Sequence, residues 1–227
     1  MNRRNFLKAA GIAGATLLVR ELAGAGIKHA QKRKEKKVIA LNGSPHEKGN
    51  TAYALSVMEE VFRKEHIEFE VIPVGIYSIR GCIACGRCRE TGEECIFTND
   101  REREWLSRMK LADAFVFASP SFFGGIPGTM KSFLDRAFYA QSRYFQHKLG
   151  AAIVTTQRSG ASMTFESLNQ YFTINQMNIV SSSYWNNIRG SQIDDLKQDE
   201  EGIRTLETLA KNMINKLKIE NGASGDY

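Results

Sequence analysis

Apolar residues recur along this chain with two spacings, and the switches between them mark the elements. Val38-Ile39-Ala40-Leu41, Ala114-Phe115-Val116-Phe117-Ala118 and Leu149 to Thr155 are unbroken apolar runs, short enough for strands buried on both faces. Ile67, Phe69 and Val71 alternate with His66, Glu68 and Glu70, as in a half-exposed edge strand. Asn178 to Tyr184 supplies the last strand. Between these runs the spacing turns helical. Leu55, Met58, Val61 and Phe62 share one face, and Glu102 to Leu111 forms a short helix. A helix from Thr129 to Tyr139 turns Met130, Phe133, Leu134 and Ala137 inward, and another runs from about Phe165 to Phe172. The C-terminal helix gathers Ile203, Leu206, Leu209, Ala210, Met213, Ile214 and Leu217 on its apolar face.

Five strands alternating with helices predict an α/β domain, a three-layer sandwich with a parallel sheet covered on both faces. In the strand order 2-1-3-4-5, ligands sit beyond the carboxyl ends of the first and third strands, where strand order reverses. The loop after the first strand holds Ser44, His46, Lys48, Gly49, Asn50 and Thr51 and leads into a helix. A helix start of this kind offers unpaired amides and a positive dipole end to an anion. It has neither the Gly-Lys-Ser/Thr of a Walker A loop nor a Gly-x-Gly-x-x-Gly, so by itself it reads equally as an ordinary capped turn. The loop after the third strand, Ser119-Pro120-Ser121-Phe122-Phe123-Gly124, joins aromatic rings to free backbone groups. The two loops face one site. A flavin mononucleotide, with one phosphate and one planar ring system, fits such a pair; no second phosphate site for a dinucleotide is visible.

Charge adds an export reading. The net charge is +6, but residues 1–37 hold ten of the 31 Lys/Arg and two of the 25 Asp/Glu. The remaining 21 basic and 23 acidic residues nearly balance, which excludes a general nucleic-acid binder. Arg3-Arg4 before Phe6-Leu7-Lys8 and an apolar stretch from Ala9 to Val19 have the features of a twin-arginine export signal, with small residues at Ala23-Gly24-Ala25 for cleavage. The stretch is too short to span a bilayer. The domain reading is therefore signal and charged linker over 1–36, one folded domain over 37–220 and a frayed tail over 221–227. Export across the cytoplasmic membrane follows, with membrane association only through an uncleaved leader.

All four cysteines fall in one window, Cys82-x2-Cys85-x2-Cys88-x6-Cys95. Thiolates so spaced suit a [4Fe-4S] cluster, and zinc, disulfides or free thiols stay open as alternatives. A cluster inserted before folded export escapes the usual expectation of disulfides outside the cell. Arg80, Arg87 and Arg89 flank the motif and favour a reduced cluster. The histidines at 29, 46, 66 and 147 show no metal spacing, and no hydrolytic triad or general acid is indicated. Asp135 and Arg136 read as a structural helix pair, and Tyr184 and Trp185 as core or interface.

The segments Leu41 to Pro45, Gly49 to Thr51, Ser119 to Gly124 and Gly128 to Asp135 resemble the NAD(P)H-dependent FMN reductases of flavodoxin-like fold, over about Val38 to Ile214. The cysteine pattern narrows the resemblance to the iron-sulfur flavoprotein branch. The resemblance implies that Ser44, Asn50 and Thr51 bind the FMN phosphate, and that Pro120, Phe122, Phe123 and Gly124 line the isoalloxazine. Thr156, Arg158 and Gly160 would border the flavin. His46 stands where many relatives carry Arg, so Lys48 is the alternative source of positive charge. It also implies a homodimer or homotetramer that passes electrons from NAD(P)H or a reduced carrier through FMN and the cluster to an acceptor. A cluster-free FMN or quinone reductase and a non-catalytic flavin electron carrier are the alternatives.

Overall fold

A computed structural model describes residues 35–92 and 94–220. The twin-arginine segment, most of the charged linker and the tail beyond 220 lie outside the described residues. The domain contains β1 (Lys37–Asn42), α1 (Asn50–Lys64), β2 (Glu68–Ile72), α2 (Arg87–Thr91), α3 (Glu102–Lys110), β3 (Ala114–Pro120) and α4 (Gly128–Gln141). It continues through β4 (Leu149–Thr156), α5 (Ala161–Ile174), β5 (Asn178–Ile179), β6 (Asn187–Arg189), α6 (Ile193–Gln198) and α7 (Glu200–Glu220).

The strands pair in the order β2-β1-β3-β4-β5, all parallel, which is the flavodoxin-like arrangement. Side chains alternate across the sheet and build two cores. Ile39, Leu41, Phe115, Phe117 and Val154 pack with Trp105, Leu106, Phe133, Leu134 and Phe172 from α3, α4 and α5. Val38, Ala40, Val116, Ala151 and Ile153 pack on the other face with Leu55, Met58, Phe62, Leu209 and Met213 from α1 and α7. Burial on both faces is why β1, β3 and β4 are nearly continuous apolar runs. Each large side chain so buried contributes about 1.5–3 kcal/mol. β2 lies at the sheet edge as its alternation predicts, with Phe69 stacked on Phe62 at 5.1 Å. Its Glu68 and Glu70 meet Lys37 Nζ at 2.7 and 2.6 Å, charges that discourage pairing with another strand.

The last strand departs from the sequence reading. Instead of one strand over Asn178 to Tyr184, β5 pairs with Leu149 and Gly150, and β6 pairs with Val154 to Thr156. Between them the chain swings out. Ser182 Oγ binds the Tyr184 carbonyl at 2.7 Å and Asn186 Oδ1 at 2.6 Å, while Asn186 Nδ2 donates to the Ala152 carbonyl at 3.0 Å. Serine and asparagine offer the backbone side-chain partners that compete with a ladder, and three serines precede Tyr184. Tyr184 and Trp185 are consequently exposed, not core. Among the described residues, no helix is long and apolar enough to cross a membrane.

Candidate functional site

β1 delivers the first loop to the carboxyl edge of the sheet, where short side chains wind it. Buried Asn42 Oδ1 accepts the Ser44 amide at 3.0 Å, and Ser44 Oγ accepts the His46 amide at 3.1 Å. The Gly43 amide ties the loop to Ala118 of β3 at 2.8 Å, and the Gly49 amide closes it onto His46 O at 3.2 Å. α1 then starts with no side chain capping it. Its first amides and dipole end therefore face the loop, the arrangement that binds an anion. Gly75 backs the loop from the turn after β2: a Cβ there would lie 2.2 Å from the Ser44 carbonyl oxygen. Only glycine permits that approach.

The facing wall comes from the loop after β3. Phe122 and Gly125 exchange backbone hydrogen bonds of 2.9 and 2.8 Å, with Phe123 and Gly124 at φ +51° and +75° at the tip. The two loops and the ends of β4 and β6 enclose a cleft of about 380 Å³, a size typical of small-molecule sites. Thr51 and Thr155 hydroxyls meet at 2.9 Å in its floor, and Asn50 Nδ2 donates to Gly190 O at 3.0 Å. These donors and the uncapped helix suit a phosphate, and the Pro120–Phe122 wall suits a flat ring, so the residues fit FMN.

Of the residues singled out in the sequence, Ser44, His46, Gly49, Asn50, Thr51, Pro120, Ser121, Phe122 and Thr156 line this cleft. Lys48, Ser119, Phe123, Gly124, Arg158 and Gly160 stand outside the lining. His46, not Lys48, is the basic side chain on it. Ser119 is buried with Oγ on the Pro120 carbonyl at 2.8 Å, and Phe123 projects into solvent. Gly160 acts behind the wall: a Cβ there would sit 2.7 Å from Ser121 Oγ and 3.0 Å from Gly124 Cα. Pro45, Thr155, Gln157, Gly190 and Ser191 line the cleft without having been singled out. Gly190 and Ser191 follow β6, so they become visible only once the last strand is seen to resume after its excursion.

The cysteine window forms a second site on the α3–α4 side. Cys82, Cys85, Cys88 and Cys95 all wall one small cavity with Ile83, Ile96, Phe97, Tyr139 and Arg136. Ala84 and Gly86 take φ of +53° and +77°, which folds the first C-x-x-C tightly, and the Ala84 amide points to Cys82 Sγ at 3.4 Å. The short α2 carries Cys88, and Arg103 grips the Cys95 carbonyl from Nε at 3.2 Å and Nη2 at 2.5 Å. All four thiols are free. Burial pushes the Cys88 thiol up, and the charges of Cys95, Cys82 and Cys85 add to it. Four thiols on one largely apolar cavity are soft donors of the type a multivalent metal group would take on deprotonation, so the donor types suit such a group. No group of three or more metal-type side chains is preassembled at ligating distance among the described residues.

Asp135 and Arg136 do not pair. Asp135 takes Lys131 Nζ at 2.8 Å and the Tyr171 hydroxyl, whose ionisation is pushed up by burial and by that carboxylate. Arg136 turns the other way, to Asp100 and Glu102 beneath the cysteine loop. Two further clefts, of about 480 Å³ beside Arg189 and Asp199 and about 410 Å³ beside Lys131 and Tyr171, match the first in size. The lining of neither includes the uncapped start of α1.

Comparison with known proteins agrees with this fold. A family model described as NADPH-dependent FMN reductase matches residues 36–190. An iron-sulfur flavoprotein of Methanocaldococcus jannaschii is 29% identical over 191 residues, covering 81% of this chain and 98% of that protein. Among solved structures, RosB with bound 8-demethyl-8-formylriboflavin 5′-phosphate superposes with a TM-score of 0.67 at 14% identity, over 84% of this chain and 82% of that one. A flavodoxin from the domain Archaea gives 0.54 at 16% identity, over 81% and 99%.

Proposed function

The chain belongs to the NADPH-dependent FMN reductase family, and from that premise we propose that it is an iron-sulfur flavoprotein-like oxidoreductase. In this reading electrons pass from NAD(P)H or a reduced carrier through FMN and a [4Fe-4S] cluster to an acceptor. The observation that carries it is the uncapped start of α1 facing the Pro120–Phe122 wall across one cleft. The cysteine cavity on the lower half of α4 supports the second cofactor. Bound FMN supplies acceptance of an electron pair and release of single electrons; the chain supplies position and field. The first amides of α1, the Ser44 hydroxyl and His46 hold the phosphate. Phe122 and Pro120 bound the ring, and the Thr51–Thr155 pair keeps the floor rigid. Cys82, Cys85, Cys88 and Cys95 hold the cluster.

Two further parts of the reading concern setting. Arg3-Arg4 and the apolar stretch behind them support export by the twin-arginine route with cofactors already inserted. Exposed Phe123 and Met163, beside Gly124, and Ile174 support a homodimer or homotetramer. Protein purified anaerobically should be yellow with a broad brown shoulder, contain iron and acid-labile sulfide, and bleach rapidly with NADPH. A colourless chain that takes up no FMN at high micromolar concentration overturns the proposal. Bleaching without iron supports the cluster-free reductase, and colour without bleaching supports the carrier.

A further inference from the structure

The cysteine loop leaves the domain at Arg80 and returns at Phe97, and one side chain meets both ends. Arg136 Nη1 donates to the Arg80 carbonyl at 3.2 Å, and its Nη2 donates to the Phe97 carbonyl at 3.3 Å. The same guanidinium pairs with Asp100 and lies 3.5 Å from Glu102 Oε2. The Phe97 ring is 5.4 Å from it, with the Arg80 guanidinium 4.4 Å from that ring. Among the described residues Arg136 is the one buried cation, with no exposed side-chain surface. It walls the cavity shared by the four cysteines.

We propose that Arg136 is the positioning residue of the four-cysteine site: it ties the two ends of the cysteine loop together and so sets the placement of the thiols between them. This rests on the cofactor reading above. Asp100 and Glu102 alone would explain a buried ion pair, but not the two carbonyl bonds reaching opposite ends of the loop. A guanidinium can make both because its donors form a rigid planar fork; a lysine ammonium is a point donor.

The test uses the full chain purified anaerobically as wild type, as Arg136→Lys, and as Arg136→Met combined with Asp100→Asn and Glu102→Gln. The triple change avoids stranding buried carboxylates. Flavin, iron and sulfide per chain and the alkylation rate of Cys88 in metal-stripped protein are measured. The triple variant should keep its FMN. Cys88 should alkylate at least tenfold faster, both there and in Arg136→Lys. Unchanged alkylation overturns the clamp. Wild type lacking iron and sulfide overturns the cofactor reading, while alkylation still decides the clamp. If the triple variant does not fold, Arg136→Lys decides the clamp by the same alkylation measurement.

Discussion

Gly160 sits at φ +87° with Ser121 Oγ and the Gly124 backbone packed where a Cβ would be. A left-handed residue with a side chain costs about 1–2 kcal/mol, and overpacking adds about 1–3. Gly160→Ala should therefore lower unfolding free energy by about 2–5 kcal/mol in urea titrations and weaken FMN binding, because Ser121 lines the cleft. A substitution at exposed Arg158, two residues away, should do neither. Glu102 carries a different signal. Burial raises its carboxyl from the ordinary 4.5 to about 6, against the opposing pull of Arg136, with Asp100 and Glu94 adding to the rise. The folded state then holds a proton that the unfolded state has lost between those values. This contribution is fully present below about pH 4.5 and is lost as pH rises through about 6, amounting to about 2 kcal/mol. Glu102→Gln should remove that decline, read as a smaller difference in urea midpoint between pH 4.5 and 8.

Two elements divide the chemistry. α1 presents its uncapped start to the cleft, whereas α4 begins at Gly128 beyond the aromatic loop and carries Arg136 in the wall of the cysteine cavity. Eight helical residues separate Gly128 from Arg136, roughly 12 Å of rise. If the start of α1 holds a phosphate, losing that group should forfeit at least two charge-assisted hydrogen bonds, each worth about 1.5 kcal/mol. Riboflavin should accordingly bind at least about 100-fold more weakly than FMN in flavin-fluorescence titrations. Equal affinities would place the ligand elsewhere.

Across the whole molecule, the cysteine loop lies outside the sheet, and both cores close without it apart from Ile79 and the α3–α4 packing. If the cysteines hold a metal group, removing it by oxidation and chelation should leave far-UV circular dichroism unchanged and FMN affinity within about threefold, a change under ~0.7 kcal/mol. Global unfolding on metal loss would contradict this. Both cores and the α1 loop were legible in the sequence because apolar runs and helical spacing report burial directly, whereas the strand order came from the flavodoxin-like resemblance. Arg136 was not: its neighbours Asp100, Glu102, Arg80 and Phe97 are all more than thirty residues away in the chain, and adjacency to Asp135 suggested the wrong partner. The split of the last strand was missed because Val180 and Tyr184 continue its apolar pattern, while Asn186 takes over a ladder bond through its side chain.

Local chemistry alone therefore decided most of the elements and the layer architecture, because period and turn residues are properties of neighbouring residues. The folded structure decided which residues reach the cleft, that Gly75 and Gly160 stand behind its walls, and that a distant arginine underlies the cysteines. Those depend on close approach between segments far apart in the chain, which no local pattern encodes.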